Sequence, residues 1–198
     1  MEMQGQGQAG PAEQPAGASE RIVAAACELF ARRGVRDVGI EELIRASGVA
    51  KATFYRHFRS KDEVVLAYLD QWYWERSEAI DAAVARNAAH EGALLAVFDV
   101  FDFWFRHGRA EVITFVQVMM EMGREHPLGR ASIDYMEGTR RQLAQLAAAA
   151  DLDDPDDFAW SMHILIKGAI VAAAEGDPHA ASRARTMAAL LIDAHARS

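Results

Sequence analysis

Apolar residues in this chain return every three or four positions, and no stretch alternates strictly between apolar and polar. That period belongs to helices with one buried stripe, so the fold class it implies is all-α. Ile22, Ala26, Leu29 and Phe30 share one face of a helix predicted over about 20–33, with Gly34 as its terminator. Ile40, Leu43 and Ile44 mark a second, shorter helix over about 40–47. Gly48-Val49-Ala50 forms a tight turn, and a third helix follows over about 51–58. Ser60-Lys61-Asp62-Glu63 has the order of a capping box and opens a long helix to about 86, with Val65, Leu69, Trp72 and Ile80 among its apolar positions.

A second set of helices is predicted beyond it, over about 91–107, 110–124 and 128–149, broken at Gly108 and at His126-Pro127. Asp154-Pro155-Asp156-Asp157 reads as an N-cap, a proline at the first helical position and acids at the positive end of the helix dipole. That helix is expected to stop at Gly176, and Asp177-Pro178 is expected to start the last one by the same device. Residues 1–19 are rich in Gly, Gln, Ala and Pro and bring too few large apolar groups to offset the entropy of ordering, so a disordered tail is predicted there. The organisation read from the chain is therefore a tail (1–19), a small helical module (20–66) and a larger helical body (67–198).

Charge separates the two helical parts. The chain carries −8 overall, yet residues 21–62 hold nine Lys or Arg against five Asp or Glu, while residues 63–198 hold twelve against twenty-one. A basic module on an acidic body is oriented by a polyanion, which attracts one and repels the other. Read in the sequence, no apolar run reaches the roughly 18 residues that span a bilayer. No basic start followed by an apolar stretch marks a secretory signal. Cys27 is the only cysteine, so no internal disulfide forms and a reducing cytoplasm is expected.

The third helix carries the chemistry. At about 100° per residue, Phe54 and Phe58 point the same way and pack inward. Ala52 and Arg56 then lie opposite, with Thr53 nearby and Tyr55 and His57 on the flanks. A core has no use for such an outward set, whereas a DNA major groove does. A small residue permits close approach, Thr offers a hydroxyl and a methyl, and Arg can bind guanine through two donors. Tyr55 and His57 can reach phosphates on the two groove walls, and Lys51 and Lys61, each at a helix start, add two more phosphate contacts.

With these residues in hand, positions 21–69 resemble the N-terminal domain of the tetracycline-repressor (TetR/AcrR) family of transcriptional regulators. The matching run is Ile22 through Phe30, Ile40-Glu41-Glu42-Leu43-Ile44, Gly48-Val49, Lys51 through Phe58, and Ser60-Lys61-Asp62-Glu63. The resemblance implies that the third helix is the recognition helix of a helix-turn-helix. It implies that Lys51, Ala52, Thr53, Tyr55, Arg56 and His57 face DNA and that Lys61 faces a phosphate. Members often carry Thr or Ser where this chain has Val38 and Gly39, and Ser where it has Ala50, so the hydroxyl caps at these two helix starts are missing here.

For the body, the resemblance implies a pocket for a small, largely apolar effector. The candidate lining is Phe98, Phe101, Trp104, Phe105, Phe115, Met119, Tyr135, Trp160 and His163, with Tyr135 and His163 as the polar groups. The aromatics of 97–105 project on nearly all sides, which predicts a central, buried helix. The resemblance also implies a homodimer through the last two helices, where Ala181, Ala184, Ala188, Leu191 and His195 form one stripe and Ala169, Ala172 and Ala173 lie late on the helix before. Asp151, Asp153, Asp154, Asp156 and Asp157 lack the spacing of a calcium loop and read as helix capping. No nucleophile–base pair and no metal-ligand motif is present, so neither an enzyme, a cofactor nor a metal is expected. The function expected is a ligand-responsive regulator, a repressor, that binds a double-stranded operator as a homodimer. The competing readings are a helical-bundle small-molecule binding protein and an interaction adaptor without DNA binding.

Overall fold

The structure, a computed structural model, describes residues 17–87, 90–108 and 114–196. Its helices are α1 (Ala18–Arg33), α2 (Ile40–Ser47), α3 (Lys51–His57), α4 (Lys61–Arg86), α5 (His90–Arg106), α6 (Thr114–Met122), α7 (Pro127–Ala149), α8 (Pro155–Ala174) and α9 (Ala180–His195). Among the described residues the all-α expectation holds, apart from one isolated bridge between Leu152 and Ala196. The tail expected over 1–19 lies outside the described residues up to 16. Its last two residues are helical instead, because the Glu20 carboxylate accepts from the Gly17 N–H at 2.9 Å and closes the first turn of α1.

Helices α1 to α3 and the first turns of α4 enclose a small core of Ile22, Ala26, Phe30, Leu43, Phe54, Val65 and Leu69. Gly48 closes α2 at φ 63°, ψ 23°, a left-handed conformation that a side chain would strain. Neither Gly39 nor Ala50 makes a side-chain cap, as their residue types dictate. Ser60 does cap α4, accepting from the Glu63 N–H at 3.2 Å. The returning arm of the box lands one residue early, since Glu63 Oε2 accepts from the Arg59 N–H at 2.7 Å.

Helix α4 is shared by both parts: its start packs on α1, and its later turns pack on α5 and α7. The body core is built from Val97, Phe98, Phe101, Trp104, Phe115, Leu143, Phe158 and Met162. Helix α5 is not buried all round, because Phe103 is 57 % exposed and stacks on His107 instead. Helix α8, with 20 residues and a mean hydropathy of 1.2, is by length and composition long and apolar enough to cross a membrane, contrary to the reading of the sequence. Here it packs between α7 and α9, with Phe158, Met162, Ile166 and Ile170 turned inward.

The last helix starts at Ala180 rather than at Pro178. Asp177 accepts from the His179 N–H at 2.9 Å and from Arg183 Nε at 3.0 Å, which makes Asp177-Pro178 the turn before α9. Asp154, by contrast, caps α8 as expected, accepting from the Asp157 N–H.

Candidate nucleic-acid interface and effector chamber

Helix α3 is held from one side only. Phe54 and Phe58 are buried at i and i+4, with ring centroids 6.2 Å apart. Lys51, Ala52, Tyr55, Arg56 and His57 are exposed and Thr53 is half-buried, so among the described residues none covers the outward side. Tyr55 lies edge-on to Phe54, ring centroids 5.5 Å apart, which restrains a side chain that is otherwise in solvent. The local sequence accounts for all of this: two aromatics one turn apart anchor a seven-residue helix that is too short to be stable alone.

The two lysines behave differently from each other. Lys51 Nζ pairs with Glu41 Oε1 at 2.6 Å on the surface, and this hydrogen bond holds the ammonium above the usual lysine range. A phosphate approaching Lys51 therefore competes with Glu41. Lys61 is turned back into the protein, where Nζ donates to the carbonyls of Val35 at 3.0 Å and Val38 at 3.1 Å. The expected phosphate contact from Lys61 is not formed by this geometry: its charge serves the carbonyls of the loop between α1 and α2.

That loop is gripped from the other side by the body. Glu121 on α6 accepts from the N–H groups of Val35 at 2.8 Å and Arg36 at 3.2 Å. Gly34, at φ 77°, leaves room for it, since a Cβ there would meet Glu121 Oε1 at 2.2 Å. A second link joins Tyr68 Oη to Thr114 Oγ1 at 2.5 Å. Helix α6 thus touches the small module at a loop and at α4. Glu121 escaped the reading of the sequence because nothing about a half-buried Glu on a short helix signals a partner more than eighty residues earlier.

In the body, the candidate chamber residues divide. Phe98, Phe101, Trp104 and Phe115 are buried; Phe105, Met119 and Tyr135 are half-buried. Phe101 contacts Trp104 and Phe105, while Phe115 contacts Tyr135. Trp160 is not part of the interior: it is 52 % exposed, and the Arg140 guanidinium lies 3.9 Å from its ring centre. The Tyr135 hydroxyl also turns outward, donating to Asp70 Oδ1 at 3.1 Å; burial, then Asp70, pushes its pKa up to about 12. His163 is 4 % exposed, its Nδ1 has no hydrogen-bond partner among the described residues, and burial pulls its pKa down to about 3. Beside these stands a residue that the sequence analysis passed over. Arg76 occupies a core position of the α4 stripe Val65, Leu69, Trp72, Ile80, and its guanidinium is buried. An Arg on an apolar stripe was the signal available for it.

The expected dimer stripe is also displaced. Ala181, Ala184 and Ala188 are buried within the chain itself, because α9 lays its small residues against α5 and α8. The apolar residues left in solvent are Trp160, Ile164 and Val171 on α8 and Met187 and Leu190 on α9. Between them runs a shallow groove of about 410 Å³ lined by Ile164, Leu165, Met187, Leu190 and Leu191, among others.

This geometry agrees with what is known of similar chains. Residues 22–68 match the sequence profile described as bacterial regulatory proteins, tetR family. The transcriptional regulator AcuR of Cereibacter sphaeroides is 28 % identical over 166 residues, 79 % of this chain and 76 % of that protein. The transcriptional repressor KstR2 of Mycolicibacterium smegmatis is 24 % identical over 106 residues, 52 % of this chain and 50 % of that one. Among solved structures, a TetR-family regulator from Streptomyces coelicolor superposes with a TM-score of 0.80 at 24 % identity, over 91 % of this chain and 96 % of that one. The regulatory protein TetR from Rhodobacter sphaeroides does so with a TM-score of 0.74 at 26 % identity, over 88 % and 98 %. Residues 22–68 thus match the DNA-binding domain of the tetR-type bacterial regulatory proteins, and the chain as a whole has the fold of the TetR-family regulators it resembles.

Proposed function

We propose that the protein is a homodimeric repressor that leaves its operator when a small molecule fills the body. The observation that carries this reading is the open side of α3, where Ala52, Tyr55, Arg56 and His57 stand in solvent behind two buried rings. Each protomer sets α3 in a major groove, and the two grooves lie one helical turn, about 34–36 Å, apart on a near-palindromic site. Arg56 reads a base, Ala52 and Thr53 allow close approach, and Lys51, Tyr55 and His57 hold phosphates. The second copy covers the apolar face of Ile164, Val171, Met187 and Leu190, which supports a dimer through α8 and α9. Repression follows the relative KstR2, whose own description is that of a repressor. Release requires an effector with higher affinity for one arrangement of the body than for the other. Helix α6 is suited to carry that difference, since it belongs to the body and holds the 34–36 loop through Glu121.

Selection from random duplex DNA at fixed salt tests the reading. Enrichment of a near-palindrome with half-sites one helical turn apart is expected. Enrichment of no sequence, with weak binding that vanishes as salt rises, would point to an adaptor or a small-molecule binder instead.

A further inference from the structure

Arg76 is 6 % exposed, and its guanidinium lies inside the bundle with little to oppose its charge. Nη2 donates to Thr139 Oγ1, whose own proton goes to the Tyr135 carbonyl at 3.2 Å. Its Cζ sits 4.5 Å from the centre of the Phe115 ring. Among the described residues no carboxylate pairs with it, and one hydroxyl is its only hydrogen-bond acceptor. On α8, which packs on the α7 that carries Thr139, stands the unpartnered Nδ1 of buried His163. The positive charges of Lys167, Arg140 and Arg76 all act on that imidazole, and Lys167 and Arg140 also lack an acidic partner among the described residues.

Physical chemistry makes this arrangement expensive. A buried ion without a counter-ion is strongly disfavoured, and an apolar side chain of similar length would fill the same space without that cost. Rotating the side chain to solvent is blocked by the packing that buries it. The partner that suits such a group is an anion with two oxygens, the shape a guanidinium fork accepts in parallel. A neutral imidazole can add a third hydrogen bond through Nδ1. Phe115 closes one side of the guanidinium with an apolar wall, so the remainder of the occupant is apolar.

We propose that the effector is an organic acid whose carboxylate seats on Arg76 inside the body, with Thr139 and His163 beside it and its apolar part against Phe115. The inference rests on the ligand-responsive reading above and narrows it to one chemical class. It also supplies a route outward. Arg76 lies on α4, whose first turn carries Lys61 and holds the carbonyls of Val35 and Val38. A carboxylate that draws Arg76 toward α7 and α8 acts on the helix that supports the DNA module.

The test uses the full chain with butyrate, octanoate and benzoate as probes, and butyramide, octanamide and benzamide as their uncharged counterparts. Inorganic phosphate serves as a plain anion. Thermal melting and calorimetric titration are expected to detect at least one acid and neither its amide nor phosphate. Arg76→Met should bind that acid at least about tenfold more weakly, the loss of a charged hydrogen-bonded pair. Without any probe, Arg76→Met should melt no lower than wild type, because a structural arginine would be missed and an unpaired one is not. Arg76→Lys, which keeps the charge, should retain part of the binding. Amides that bind as well as acids, an acid-free panel result, stabilisation by phosphate alone, or a low-melting Arg76→Met that still binds the acid would each overturn the proposal. Operator binding is followed in parallel by fluorescence anisotropy. Acid binding through Arg76 that leaves DNA affinity unchanged would keep the site and sink the ligand-response reading; DNA release by a neutral probe would do the reverse.

Discussion

The DNA module and the body dispose of their polar residues in opposite ways. On α3 the polar groups stand outside, and the interior of the module is apolar but for Ser47, with Phe54 and Phe58 as the anchors of the helix. In the body, Arg76, Ser132, Thr139 and His163 are buried among aromatics, and one of them keeps a full charge there. A surface that awaits DNA loses nothing by being wet, because its counter-ions and water leave when the duplex arrives. On the proposed reading, a body that takes up a small molecule must hold its polar groups dry, at the cost of local instability until the ligand comes. The contrast teaches where to look for function in each half: at the exposed polar set in the module, and in the body at the buried Arg76 and the unpartnered Nδ1 of His163.

The sharpest way to break the module is from within. Phe54→Ala should cost about 3–5 kcal/mol, the loss of a fully buried ring, and should abolish DNA binding while the body keeps its helicity. Denaturant unfolding followed by circular dichroism, beside DNA titration, measures both. An equally stable variant that still binds DNA would refute the anchoring role of the ring.

The body offers a paired test on α9. Leu190, 66 % exposed, faces out, and Ala188, fully buried, faces in. Leu190→Glu should leave a folded chain whose mass by light scattering falls from twice 21.8 kDa to 21.8 kDa. Ala188→Glu should instead lower the melting temperature, since it buries a charge within the chain. A Leu190→Glu protein that remains dimeric would move the interface elsewhere.

The loop between the halves gives a smaller effect. Glu121→Gln replaces a charged acceptor of two backbone N–H groups, and such bonds contribute about 1–3 kcal/mol. Amide hydrogen exchange at Val35 and Arg36 should quicken by about tenfold or more, with little change in overall melting. Unchanged exchange would mean that α6 does not hold the loop. Smallest of all, Glu41→Gln should release Lys51 and tighten DNA binding at low salt by no more than a few-fold, as an exposed ion pair is largely screened by solvent. Added salt should erase that gain.

How much of this was legible in the sequence follows the range of the interactions involved. The helices could be read because Gly34, Gly48, Ser60 and Asp154 act within a turn of themselves. The outward face of α3 could be read because Phe54 and Phe58 fix it by spacing alone. Lys61 could not, because its partners Val35 and Val38 are more than twenty positions away and only the fold brings their carbonyls to it. The stripe Ala181, Ala184, Ala188 suited either a second chain or the same one, and a helical period does not distinguish α5 from a partner's helix. The Arg76 site draws on α4, α7 and α8, so no local pattern could announce it beyond a cation at a core position. Trp160 was misplaced for a related reason: α8 is apolar on both faces, and the sequence does not say which of them meets solvent.

The central claim is that the uncovered side of α3 reads bases, and Arg56 tests it most directly. Affinities of wild type and Arg56→Ala would be measured at one salt concentration for the selected operator and for each single-base variant of a half-site. The account predicts weaker binding to the operator by about 1–3 kcal/mol and loss of discrimination at one position of each half-site, with the other positions unchanged. Retention of the full base preference by Arg56→Ala, or an equal loss at every position, would contradict it.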